Sequence, residues 1–231
     1  MNFELCTDSV AGAIAAEKYN FKRIELCSAL SIGGLTPSIG LIEQCVKQSS
    51  VEVHVMIRHR EGGFNYTKTD LAIMKSDIEA ASKAGAHGVV FGVLSDDDKV
   101  SDSNLELLEL AKSVGMQVTF HRAFDFVSDY KSAIEKLIKM GFDRLLTSGL
   151  EPKAEQGLAV IADLQKNYGG KIEIMAGSGV NATNVFKIAG SGVRNLHFTA
   201  HKSSGVTLGL SMGDVMVVDN EKIESIMNHF S

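Results

Sequence analysis

The sequence predicts an α/β fold of the (β/α)8 type, a TIM barrel in which residues 1–231 form a single domain. Eight strand-like stretches alternate with helix-like ones, which is the order that such a barrel requires. Most of these strand-like stretches end on a polar or reactive residue. The expected strands are residues 3–7, 23–28, 51–58, 88–94, 117–124, 144–149, 173–179 and 195–200.

The helix-like stretches carry the signals of helix ends. Gly85, Gly115 and Gly141 precede the fourth, fifth and sixth strands, and glycine readily adopts the left-handed conformation in which many helices end. Asn181 is expected to cap a helix after the seventh strand, and Asp219 is expected to cap the last helix. These signals support the alternation of helices and strands.

Three of the connections that follow strands are long: residues 59–68, 95–103 and 201–219. Each lies between a strand and the next helix, so all three are expected on the face of the barrel that carries active sites. The first of them combines charged, glycine and aromatic residues, which suits a loop that covers an anionic ligand.

Composition excludes several function classes. The net charge is −5 and no block of lysine and arginine occurs, which disfavours a nucleic-acid or anionic-membrane partner. No stretch of about 18 apolar residues predicts a membrane span. Cys6, Cys27 and Cys45 are an odd number without close pairing, as expected for reduced thiols. The sequence therefore predicts a soluble, intracellular protein.

The alternation of side chains along the strands separates two faces. One face is apolar, for example at Leu5 and Val55, and is expected to pack against the helices. The opposite face carries a polar set that is expected to point into the barrel: Glu4, Glu25, His54, Arg58, His121 and His197. Barrel interiors are usually filled by branched apolar side chains, and buried charges are costly unless paired or hydrated. The set indicates a functional pocket, although a salt-bridge network that only ties strands together would give the same pattern.

Several stretches resemble the copper homeostasis protein CutC family. They are ELC at 25–27, GGLTPS at 33–38, HVMIR at 54–58, TFHRAFD at 119–125, LTSG at 146–149 and MAGSGV at 175–180. The resemblance runs over nearly the whole chain. It implies a TIM barrel, a cytoplasmic location, a role in copper homeostasis and a homo-oligomer, with a dimer expected.

A copper site is one reading of the strand ends. Cys6 and Cys27 occupy equivalent, inward-facing positions on the first two strands, and Met56 follows on the third. Adjacent strands lie about 4.8 Å apart, so two such sulfurs can share one ion, and Cu(I) favours thiolate and thioether ligands. The alternative is that these cysteines pack as small apolar residues.

An anion site is the other reading. Gly177 and Gly179 end the seventh strand, and a helix expected to start at Asn181 would direct its N-terminal dipole at a phosphate or carboxylate. Arg58 and Arg122 can add bidentate contacts. The alternative is that these glycines only allow a tight turn.

Two function hypotheses follow. In the first, the chain is an enzyme that acts on a small anionic metabolite, with isomerase, lyase and hydrolase reactions all open. Proton transfer is assigned to Glu4, Glu25 and His121, and substrate binding to His54, Arg58, Arg60, Arg122, Asp125, Ser148, Gly177, Gly179 and His197. In the second, the chain is a non-catalytic Cu(I)-binding or trafficking protein that uses Cys6 and Cys27.

Overall fold

Eight parallel strands close into a barrel in the computed structural model of the chain, which describes residues 1–207 and 214–230. The strands are β1 Asn2–Thr7, β2 Arg23–Leu26, β3 Glu52–Met56, β4 Gly88–Phe91, β5 Gln117–Phe120, β6 Arg144–Thr147, β7 Glu173–Ala176 and β8 Asn195–Thr199. Each strand pairs with the next along the chain, and β8 pairs with β1 to close the barrel. The predicted fold class is confirmed.

The helices surround this barrel. They are α1 Val10–Lys18, α2 Ile39–Gln48, α3 Lys68–Lys83, α4 Asn104–Ser113, α5 Tyr130–Met140, α6 Leu158–Tyr168, α7 Val185–Ala189 and α8 Asn220–Met227. At the start of α3, the side chains of Thr67 and Asp70 cap each other's backbone N–H groups, and Met74 on its apolar stripe is buried. One apolar core extends from Phe3 of β1 to Ile226 of α8. No described helix is both long and apolar enough to cross a membrane.

The strand faces are arranged as the alternation predicts. Strand register places Cys6 beside Glu25, and Glu25 beside His54. Arg23 of β2 reaches Glu173 of β7 at 2.6 Å. Because β2 and β7 are not neighbours in the sheet, these side chains meet only through the barrel interior. All six residues of the predicted polar set are buried. Side-chain atoms of Glu4, Glu25 and His197 lie within 4.8 Å of one another, as expected for side chains that point into the barrel.

The strands end earlier than the apolar pattern suggests. β3 and β5 stop before Ile57 and Phe124, although both residues are fully buried. Phe124 lies in a short 3-10 helix, Arg122–Phe126. Burial outside the sheet, rather than strand pairing, therefore explains the apolar pattern there. As a result Arg58 lies in a loop beyond the C-terminal end of β3.

The described residues of the connection at 201–219 form an antiparallel pair of strands, β9 His201–Thr207 and β10 Asp214–Val218. Residues 208–213 of this connection lie outside the described residues. Side chains of Val206, Val215 and Met216 in this pair are exposed. Asp219 accepts a hydrogen bond from the Lys222 backbone and caps α8, which confirms the predicted start of the last helix.

Candidate functional site

A cavity of about 740 Å³ opens at the C-terminal end of the barrel. Cys6, Glu25 and His197 line its inner part from β1, β2 and β8, whereas Arg58 and Arg122 line it from the loops after β3 and β5. Active sites of (β/α)8 enzymes lie at this end. The volume falls in the range of cavities that hold small organic ligands.

The predicted site residues divide into two groups by their position. Lining the cavity are Cys6, Glu25, Arg58, His121, Arg122, Gly179 and His197. Within the part of the chain that the structure describes, the others do not line it: Glu4, His54, Arg60, Asp125, Ser148, Gly177 and Cys27. Most of this second group contact a lining residue directly.

His197 lies between two carboxyl groups. Its Nδ1 is 2.7 Å from Glu4 Oε1, and its Nε2 is 3.7 Å from Glu25 Oε2. Burial alone would lower the pKa of His197, but the charge of Glu25 and contacts with Cys6 and Glu4 raise it well above its usual value. Burial also disfavours ionisation of Glu4, yet the hydrogen bond with His197 and the charge of Arg23 hold its pKa well below the usual range. The result is a buried imidazolium–carboxylate pair.

The stabilisation from His197 is expected to depend on pH. Its pKa is raised in the folded protein, so its contribution is complete below the ordinary value of 6.5 and is lost as the pH rises through the folded value. The difference in unfolding free energy between the wild type and His197→Gln should therefore be larger at pH ~5.5 than at pH ~9. Urea denaturation at both pH values measures it, with the exposed His229 changed to Gln as the control. A difference that grows with pH would contradict the charged pair.

A network of charges lies beneath the cavity. Arg23 Nε donates to Glu4 at 2.5 Å, and Arg23 and Arg144 both bind Glu173, at 2.6 Å and 2.9 Å. Arg144 also donates to Thr119 at 2.9 Å. These residues bridge β1, β2, β5, β6 and β7. The lower part of the polar interior is therefore a salt-bridge network that ties the strands together, which was the alternative interpretation of the polar set. Glu4 connects this network to His197.

Glu25 contacts both thiols. Its Oε2 lies 3.2 Å from Cys6 Sγ and 3.5 Å from Cys27 Sγ. Burial, together with the charge of Cys6, raises the pKa of Glu25 well above its usual value. Hydrogen bonding from Cys27, supported by His197, lowers the pKa of Cys6 to about 5. Cys6 and Glu25 therefore compete for one proton at the inner end of the cavity.

The two thiols also fit a soft metal ion. Cys6 Sγ and Cys27 Sγ are 4.0 Å apart. With metal–sulfur bonds near 2.3 Å, this separation corresponds to a sulfur–metal–sulfur angle of about 120°, as in a three-coordinate ion. Glu25 Oε2 is close to both sulfurs, and Met56 lies beside Cys27 in the same small buried cluster. The donor set is one that Cu(I) accepts.

His121 is held as a neutral hydrogen-bond donor. Its Nδ1 accepts from the Ala123 backbone N–H at 3.2 Å, which leaves the proton on Nε2. Burial, with the charge of Arg58 nearby, lowers the pKa of His121 to about 3. Gly92 makes room for the ring, because a Cβ at that position would lie 2.7 Å from Nδ1. His121 therefore presents a neutral ring whose Nε2–H can donate a hydrogen bond.

Arg58 is a buried cation to which the described part of the chain gives no acidic partner. Its guanidinium donates to the backbone carbonyls of Ile32, Gly34 and Gly62 at 3.1, 2.9 and 3.0 Å. Among the ion pairs formed by residues 1–207 and 214–230, none includes Arg58. The carbonyls fix the side chain and the two loops, but they leave a net positive charge at the cavity.

Arg122 is positioned by Asp125, a residue that the sequence suggested for substrate binding. Asp125 Oδ2 accepts from Arg122 Nε at 2.8 Å, and Ser148 Oγ accepts from Arg122 Nη2 at 2.9 Å. Asp125 also accepts hydrogen bonds from Thr147 and from the Ser148 and Leu150 backbone. Its oxygens are thus used within the fold, and Asp125 and Ser148 support Arg122 rather than line the cavity.

Arg60, Gly177 and His54 do not line the cavity in the described structure, and each has different neighbours. Arg60 donates to the Asn65 carbonyl in the loop after β3 and to Asp70 in the first turn of α3. Gly177 accommodates His197, since a Cβ at that position would lie 3.1 Å from His197 Cδ2. His54 lies deep in the barrel beside Arg144.

The helix after β7 does not begin where the sequence suggested. α7 begins at Val185, and the Asn181 side chain instead accepts from the Thr183 backbone N–H at 2.9 Å. Asn184 Oδ1 accepts from the Asn181 backbone, which holds this segment as a turn. The helix N-terminus predicted at Asn181 therefore lies at Val185, in a helix of only five residues, and the argument from a helix dipole behind Gly179 loses its basis.

Phe64 belongs to the loop at residues 59–68 that the sequence marks as a cover for an anionic ligand. The sequence did not single out several other residues in or beneath the site: Arg23, Arg144, Glu173, Phe126 and Lys222. Arg23 shares a strand face with Glu25, so the same alternation predicts its inward position. Lys222 carries no such signal, because only the folding of α8 onto the barrel brings it to the cavity.

Comparisons with known proteins agree with this architecture. The model of the CutC family matches residues 1–202. A CutC family protein from Glaesserella parasuis is 40% identical over 242 aligned residues, covering 100% of this chain and 99% of the relative. A CutC family protein from Vibrio atlanticus is 47% identical over 182 residues, covering 78% of this chain and 74% of the relative.

Solved structures show the same fold. A CutC protein from Streptococcus agalactiae that is named for copper homeostasis matches with a TM-score of 0.79 and 32% identity, covering 86% of this chain and 98% of that one. Thiamine phosphate pyrophosphorylase from Pyrococcus furiosus matches with a TM-score of 0.60 at 14% identity, over 98% and 94% of the two chains. The second likeness concerns the fold alone. The family match and the relative aligned from end to end establish that this chain belongs to the CutC family.

Proposed function

We propose that this chain is an enzyme that binds a small anionic metabolite in the cavity and catalyses proton transfer between that metabolite and an acidic side chain. One observation carries the proposal. Glu25 Oε1, Arg58 Nε and His121 Nε2 are buried and have no hydrogen-bond partner among the described residues. All three belong to side chains that line the cavity. Unpaired buried polar atoms are costly, and a ligand that pairs with them removes that cost.

The charges at the cavity favour an anion. Arg58 has no acidic partner within the described ranges, and Arg122 and Lys222 also line the cavity. Partial burial lowers the pKa of Lys222, an effect that a bound anion opposes. The chain as a whole carries a net charge of −5, and the carboxyl groups of Glu25 and Asp98 line the cavity beside these cations. Among the cations it is therefore Arg58, which forms no ion pair within the described ranges, that most favours a small anion.

The inner groups suit proton transfer next to a carbonyl or carboxylate. Glu25 has a raised pKa, which is the property of a carboxyl group that exchanges a proton near neutral pH. Neutral His121 supplies an N–H that stabilises negative charge developing on a substrate oxygen. Glu4 and His197 hold Glu25 in place. This step is common to isomerases and lyases.

The binding of the anion is tested through Arg58. A thermal-shift screen of small carboxylates and phosphates finds a ligand, since binding stabilises the native state. Arg58→Ala should then weaken its binding by ~1.5–3 kcal/mol, as measured by calorimetry, because a charged hydrogen bond is lost. Arg60→Ala is the matched control, since Arg60 does not line the cavity within the described structure. Arg58→Lys keeps the charge while loosening the loop contacts, and so separates the two roles of Arg58.

The proton transfer is tested with the same ligand. Incubation with the wild type in D2O should exchange a carbon-bound hydrogen, which NMR detects, and Glu25→Gln should abolish the exchange while binding persists. Equal affinity in the wild type and Arg58→Ala, or exchange that survives Glu25→Gln, would overturn the proposal.

A second candidate function is Cu(I) binding. The specific observation in its favour is the 4.0 Å separation of Cys6 Sγ and Cys27 Sγ. Cys6 and Cys27 would hold the ion, with Glu25 or Met56 as the third donor. The protein would then store Cu(I) or pass it to another protein. The Streptococcus agalactiae relative is named for copper homeostasis. This proposal includes a cytoplasmic location, which would keep the three buried cysteines reduced. It also includes a homodimer.

A further inference from the structure

We infer that the anionic ligand of this cavity carries a flat apolar group, such as an aromatic ring, beside its charged group. This inference rests on the proposed function and narrows its substrate class. The observation behind it is an aromatic wall at the mouth of the cavity, formed by Phe64 and Phe126. Phe126 is 61% exposed, although it lies in a ligand-sized cavity where a partner can cover it.

The two rings are placed differently. Phe64 is held in position: its ring meets the His121 ring edge-to-face at a centroid distance of 4.9 Å, and the Arg58 guanidinium lies 5.6 Å from its centre. The Phe126 ring leans on Phe64 with centroids 5.5 Å apart and an angle of 53°. Phe126 therefore has one side supported and the other open. Such a ring can stack against a planar group without rearrangement of the wall.

The aromatic wall is adjacent to the cations. Phe126 and Arg122 belong to the same 3-10 helix, Arg122–Phe126, and both line the cavity. Arg58 contacts the Phe64 ring. A ligand whose anionic group meets Arg58 and Arg122 is thereby brought against the two phenyl rings. Cations beside an apolar surface are complementary to an aromatic carboxylate or an aryl phosphate.

A second apolar surface contributes to the mouth. Leu30 and Ile32 come from another 3-10 helix, Leu30–Ile32, which follows β2, and both line the cavity. Ile32 is 40% exposed. The hydroxyl groups of a sugar phosphate would lose their water against these side chains and gain no hydrogen bond there, which is unfavourable. A flat apolar group gains from the same contacts.

Exposure alone does not mark a site, because single apolar side chains are common on protein surfaces. Phe186 on α7 is 69% exposed, yet it does not line this cavity or contact Phe64 in the described structure. Phe126 differs because it forms one wall with Phe64 beside a cation. Phe186 is therefore a matched control for Phe126.

The test compares probes of equal charge by calorimetry. Phenyl phosphate is compared with glycerol phosphate, and benzoate with acetate, using the wild type, Phe126→Ala and Phe186→Ala. The aromatic member of each pair should bind the wild type about tenfold more tightly. Phe126→Ala should remove most of that preference, Phe126→Leu should retain part of it, and Phe186→Ala should leave it unchanged. Circular dichroism confirms that each variant is folded.

The outcomes separate this inference from the proposal on which it rests. If both members of a pair bind equally and both weaken in Arg58→Ala, the anion site stands and the aromatic preference is refuted. A preference that persists in Phe126→Ala also refutes it. If none of the four probes binds the wild type, the aromatic inference and the anion site are both rejected.

Discussion

Replacing Arg23 with methionine is expected to lower the free energy of unfolding by ~3–5 kcal/mol. Arg23 is 1% exposed and binds Glu4 at 2.5 Å and Glu173 at 2.6 Å. Methionine fills similar space without a charge, so Glu4 is left with His197 alone as a charged partner in direct contact. A buried carboxylate that loses its guanidinium is strongly destabilising because its desolvation is no longer compensated.

Chemical denaturation followed by circular dichroism measures this loss, since the chain has no tryptophan for fluorescence. Lys99→Met is the control, because the Lys99–Asp97 pair has 69% and 60% of its side-chain surfaces exposed. An exposed pair contributes at most about 1 kcal/mol. If Arg23→Met and Lys99→Met were equally mild, the interior would be hydrated and the charges would not hold the strands together.

The second large effect concerns copper. Cys6→Ser or Cys27→Ser should lower the affinity for Cu(I) on the order of 100-fold or more, since loss of even an indirect supporting contact costs about 10–100-fold. A hydroxyl is a poor replacement, because Cu(I) prefers sulfur donors. Competition with a chromophoric Cu(I) chelator under anaerobic conditions gives the affinities.

Cys45→Ser provides the matched control for this measurement. Cys45 is buried on α2, and burial raises its pKa to about 11, so it stays a thiol and should leave Cu(I) affinity unchanged. X-ray absorption on the wild type should find two or three sulfur neighbours around copper, depending on whether Glu25 or Met56 is the third donor. Wild-type affinity in the double serine variant would remove the copper-binding proposal.

The strand faces were predictable because the information is local. Alternation in β1 and β2 separates Glu4 and Glu25 from Leu5 and Ile24, and a strand must direct such neighbours to opposite sides. The inward position of the two carboxyl groups follows once the apolar face is assigned to the helices. The same reasoning covers Arg23, which shares a strand face with Glu25.

The geometry of the site was only partly predictable. Arg58 and His121, both assigned to the site from the sequence, line the cavity. Asp125 and Ser148 were expected to bind substrate, but their polar atoms hold Arg122 and the loop after β6. Whether a polar side chain faces a ligand or supports another residue depends on loop conformation, which the alternation of a strand does not specify.

Sequence alone determined the (β/α)8 order, the inward polar set and the family to which the chain belongs, because periodicity and motif residues are properties of short segments. Tertiary structure decided which of these polar groups share a proton, which are paired and which remain open to a ligand. Arg23 and Glu173, separated by 150 positions, meet only after the barrel closes. Likewise Lys222 reaches the cavity only through the docking of α8. Burial and neighbouring charge arise from that closure, and they set the neutral state of His121 and the charged state of His197.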